Sequence, residues 1–83
     1  MPTDYWNEPI KVGAIFSRSG INPVWFEWNH TRYQIRSITY RWDERKGAHK
    51  IFCFSVTDGV DLFEIAFDPV QIEWRILSSS CST

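Results

Sequence analysis

Thr31-Arg32-Tyr33-Gln34-Ile35-Arg36-Ser37-Ile38-Thr39-Tyr40-Arg41-Trp42 is the stretch that decides the fold. It alternates as a β-strand does, but in two phases. Tyr33 and Ile35 share one face, with Arg32, Gln34 and Arg36 opposite. Further on, Ile38, Tyr40 and Trp42 share a face, with Ser37, Thr39 and Arg41 opposite. Strand side chains repeat every two residues, so a one-residue slip moves the apolar set to the other side. The slip falls near Ser37. A flat strand cannot carry it and keep one core face, whereas a bulge or sharp bend can. Strands bent this strongly belong to small barrels, in which one strand contributes to two sheets.

The flanking sequence supplies the remaining strands. From Ile10 to Phe16, the residues Ile10, Val12, Ala14 and Phe16 fall on one face; Gly13 falls on the other, where a neighbour can approach. Val24, Phe26 and Trp28 alternate with Trp25 and Glu27, and Asn29-His30 reads as a tight hairpin turn because Asn tolerates a positive φ. His49 to Val56 sets Phe52, Phe54 and Val56 against Ile51, Cys53 and Ser55. Val60 to Phe67 aligns Phe63, Ile65 and Phe67, and a final run aligns Val70, Ile72, Trp74 and Ile76. No segment carries a helix-length apolar stripe.

Such strands predict an all-β fold: a small closed or partly open antiparallel barrel, SH3-like, of five or six strands. An open meander without a covering helix would expose two edges and several large aromatics. An OB-like barrel comes second, since it usually holds a helix where Asp43 to Gly47 leaves no room. A dimer pairing two open sheets is the other alternative. The expected core is Val12, Phe16, Phe26, Trp28, Tyr33, Ile35, Ile38, Tyr40, Phe52, Phe54, Phe63, Ile65, Ile72 and Trp74. Residues 1–8 read as an N-terminal extension in which the role of Trp6 is open. Residues 9–77 read as the single barrel domain, and 78–83 as a disordered polar tail.

Composition narrows the function classes. The 83 residues suffice for one domain, and the formal net charge of -1 gives no overall pull toward nucleic acid or anionic membrane. No apolar run approaches transmembrane length and the start lacks a signal-peptide pattern, so a cytoplasmic protein with no membrane partner is expected. Cys53 in a strand-like run and Cys81 in a polar one make a poor disulfide framework.

Little points to catalysis. His49 and Cys53 on one strand lie about 13 Å apart, too far to share a metal ion. There is no nucleophile elbow and no phosphate-cradling glycine motif. Asp58, Asp61, Glu64, Asp68 and Glu73 fall on turns and outward faces. A non-catalytic module with no cofactor and no metal is therefore expected. Binding is the stronger expectation. Arg32, Arg36 and Arg41 line up as an outward arginine face with Trp25 on the neighbouring strand. Such a face holds phosphates and stacks a base of single-stranded or double-stranded nucleic acid. Two other readings stand beside it. The arginines pair with Glu27, Glu64 and Glu73 as a solvated face, or Trp25 and Leu62 meet a protein partner or a second copy.

Pro23-Val24-Trp25-Phe26-Glu27-Trp28, Ile38-Thr39-Tyr40-Arg41-Trp42, and Phe54-Ser55-Val56-Thr57-Asp58-Gly59 followed by Leu62-Phe63-Glu64-Ile65 carry a resemblance. Together they resemble a family of small bacterial domains of unknown function, over roughly residues 9 to 77. A similar domain is appended to the C-terminus of some Y-family DNA polymerase homologues. The resemblance implies an accessory module near DNA or replication proteins, and brings no catalytic residues with it.

Overall fold

A computed structural model describes the backbone from Tyr5 to Cys81 and the side chains from Glu8 to Ser79. The side chain of Trp6, residues 1–4 of the expected extension and residues 82–83 of the expected tail lie outside the described residues.

Seven strands follow one another: β1 (Tyr5–Ser17), β2 (Gly20–Trp28), β3 (Thr31–Gln34), β4 (Ser37–Lys46), β5 (His49–Thr57), β6 (Asp61–Asp68) and β7 (Glu73–Cys81). They form an antiparallel sheet in the order β3-β2-β1-β7-β6-β5-β4. The first and last strands therefore pair in the middle, and the two ends of the sheet are β3 and β4, which are consecutive in the chain. The result is a partly open half-barrel with seven strands, not the five or six expected.

The extra strand comes from the stretch that decides the fold. The chain leaves one sheet and joins the other across Ile35 and Arg36. The Ile35 amide donates to Val24 O at 2.9 Å and the Arg36 amide donates to Thr57 O at 2.8 Å. Successive amides of a strand point to opposite sides, so this corner ties β2 to β5. A second adjustment follows at once. Ile38 pairs with Val56 but Tyr40 pairs with Ser55, leaving Thr39 as a bulge. The slip near Ser37 is thus resolved by a corner and a bulge together.

β1 also serves two partners. Its first half pairs with β7 and its second half with β2. This lays β1–β3 over β5–β7, and the core forms between them from Phe26, Phe54, Val56, Phe63, Ile65 and Ile76. Phe26 stacks on Tyr33 at 4.9 Å and meets the edge of Phe63 at 5.0 Å, linking the two halves.

Three expected core residues are outside it. Tyr40 is 65% exposed because the Thr39 bulge reverses its face. Ile72 is 78% exposed, lying at φ 53° in the turn before β7. Phe16 is 58% exposed: it keeps the inner register opposite Ile21, but little covers it there. Ser78 to Cys81 continue β7 along β6 and are not a tail. Asn29 and His30 form the expected tight turn, with φ of 56° and 62°.

Candidate functional site

The residues expected to form one arginine face are distributed over three places. Trp25 lies on the outer face of β2, opposite Gly13, and its indole rests on that glycine. A Cβ at Gly13 would sit 2.2 Å from the indole Nε1, so only glycine permits this approach. Arg32 lies across β3, with its guanidinium carbon 4.0 Å from the Trp25 ring centroid. Its Nε and Nη2 both donate to Glu27 Oε2, at 3.1 and 2.9 Å. Trp25, Arg32 and Glu27 thus interlock, and the arginine charge is matched at short range.

Arg36 sits at the corner, with its side chain laid over Gly59. Arg41 is on the other side of its strand. The bulge turns it to the inner face of the sheet, where it stays exposed with its guanidinium carbon 5.6 Å from the Phe54 ring. Its Nη1 donates to Ile21 O at 2.8 Å and its Nη2 to Asn22 Oδ1 at 2.6 Å. Trp25 and Arg32 are brought together, while Arg36 and Arg41 are not part of one continuous stripe with them.

The same bulge creates a surface that sequence reasoning missed. Tyr40 and Trp42 project from the outer face of β4, their rings stacked with centroids 5.6 Å apart. Trp42 Nε1 donates to Glu44 Oε2 at 3.2 Å. Glu64, on the same face, accepts a hydrogen bond from Ser78 Oγ at 3.3 Å. Tyr40, Trp42, Ser55 and Glu64 line a shallow depression. Ring faces flanked by carboxylates attract cationic groups and N–H donors. No signal short of placing the Thr39 bulge would have found this surface, because simple alternation buries both rings.

Behind it lies Cys53, 1% exposed. Burial, then the charges of Glu44, Glu64 and Asp43, push its thiol up to about 11, so it stays protonated at neutral pH. Among the described residues, no three of His, Cys, Asp and Glu gather as metal ligands. Among them, too, no helix is long and apolar enough to cross a membrane.

These features describe a small antiparallel half-barrel whose open-edge strand presents an aromatic pair. No family model, no curated protein and no solved structure matches the chain.

Proposed function

We propose that this chain is a non-catalytic binding module that recognises a protein partner through the outer face of β4. The observation that carries it is the Tyr40–Trp42 stack. A tyrosine 65% exposed and stacked on a tryptophan is a large, rigid apolar contact with polar tips. Such residues dominate binding energy at protein interfaces, because they bury much area at little entropic cost. Glu44 and Glu64 beside them favour a partner with a basic side chain at the contact.

Nucleic-acid contact is the second reading, favoured by Arg32 standing over Trp25 as a stacking platform. It would agree with the resemblance to a polymerase-appended module. It ranks lower because Glu27 matches Arg32, and Arg41 is engaged by Ile21 O and Asn22 Oδ1 on the other face of the sheet.

One set of variants separates the two. Partner capture is compared for wild type, Tyr40→Ala and Trp25→Ala, and each is titrated with single-stranded DNA at several salt concentrations. The expected result is a partner lost with Tyr40→Ala and kept with Trp25→Ala, and no salt-dependent DNA binding. Micromolar, salt-dependent DNA binding that Trp25→Ala abolishes would contradict it.

A further inference from the structure

The half-barrel is open between β2 and β4. Gly20–Asn22 at the start of β2 and the outer edge of β4 face each other with no backbone ladder between them among the described residues. No Cα of β4 lies within 8 Å of a Cα of β2. The gap is nevertheless spanned by one arginine, since Arg41 on β4 reaches Ile21 O on β2. Paired strands lie about 4.8 Å apart, so two strands flanking a third are separated by about 9.6 Å. A gap wider than 8 Å is too wide for β2 and β4 to pair directly, and Arg41 still crosses it, so the spacing is of the order that one inserted strand requires.

The walls suit such an occupant. Ile21, Phe52 and Phe54 line a cleft of about 370 Å³ at this opening. Facing these is a cation whose two acceptors are both neutral, a carbonyl and a side-chain amide. The carboxylate lining the cleft, Asp43, has Lys50 Nζ at 4.0 Å. The cleft therefore holds an arginine charge that a ligand carboxylate would complement.

We infer that the opening between β2 and β4 is a docking slot for one extended segment of the protein partner. The segment adds as a strand, turns apolar side chains onto Phe52 and Phe54, and offers an aspartate or glutamate to Arg41. Arg41 gives up Ile21 O and takes the carboxylate, and the freed backbone edges pair with the incoming strand. This rests on the reading of the chain as a protein-binding module, and names the segment and where it docks.

The test uses the full chain and a displayed library of random heptapeptides. The selected peptides should alternate apolar residues with at least one Asp or Glu. Each is then synthesised with single N-methylated amides. Methylation at alternate positions should weaken binding at least tenfold, because those N–H groups enter the ladder. Addition of peptide should also slow amide exchange in both Gly20–Asn22 and Arg41–Asp43. Arg41→Gln removes the charge at an exposed position, should retain folding, and should lose most of the preference for acidic peptides. Peptides insensitive to N-methylation but lost with Tyr40→Ala would overturn the slot while leaving the outer-face reading intact. Failure to select any peptide would overturn the slot. So would edge protection that rises with protein concentration alone, since the occupant would then be a second copy.

Discussion

At the scale of single residues, the structure turns on side chains whose partner is backbone. Gly13 is one. Its lack of a Cβ lets the Trp25 indole lie on the strand, and Arg32 lies on the indole in turn. Gly13→Ala would place a Cβ 2.2 Å from Nε1 and 2.3 Å from Cε2, which the ring cannot absorb without moving. The expected cost is about 1–3 kcal/mol, the usual range for overpacking. Chemical denaturation would show it as a lower midpoint at unchanged slope; an unchanged midpoint would mean that the ring does not rest there. The sequence already marked Gly13 as a place of close approach, since it interrupts the outer face of an apolar-alternating strand. Arg41 was not legible in the same way. Its outward placement followed from alternation, and one bulged residue reverses it.

At the scale of elements, turns fix where strands begin and end. Asp58 Oδ1 accepts from the Val60 and Asp61 amides at 2.9 and 2.8 Å and holds the turn from β5 into β6. Those backbone bonds hold its carboxyl below the usual range. Asp68 does the same before β7, accepting from Val70 and Gln71. Burial alone would raise its carboxyl, but these amides and the nearby His49 lower it. A carboxyl lowered on folding adds stability above its unfolded pKa, and that stability is lost as pH falls through the folded value. Acid should therefore destabilise the protein below about pH 4. Asp58→Asn can keep the turn, yet should flatten the fall in denaturation midpoint over that range. An equal fall in both proteins would contradict the assignment. The β7 strand shows what pattern reading cannot reach. Ser78 to Ser80 carry no apolar signal, yet they pair by backbone with Leu62 to Glu64. Ladder bonds need no particular side chain.

At the scale of the molecule, a meander of strands closes by pairing β1 with β7 and leaves its opening at the one corner. The sequence showed that the chain must change sheets near Ser37, because two phases of alternation cannot share one flat strand. Whether bulge or bend would absorb the slip, and so which side Tyr40 and Arg41 would take, depends on cross-strand pairing that a single strand does not encode. The structure uses both, and the consequence is functional. The bulge places two aromatics on the outer face and one exposed arginine on the inner face, on a strand with a free edge.

Native-state amide exchange along residues 35–44 tests this arrangement most directly. Ile35 and Arg36, bonded to opposite halves of the fold, should be among the slow amides. Beyond the Thr39 bulge, alternate β4 amides should exchange fast, because they face the open edge. Uniform protection along β4 would mean that a backbone ladder closes the barrel, and would contradict both the opening and the surfaces built on it.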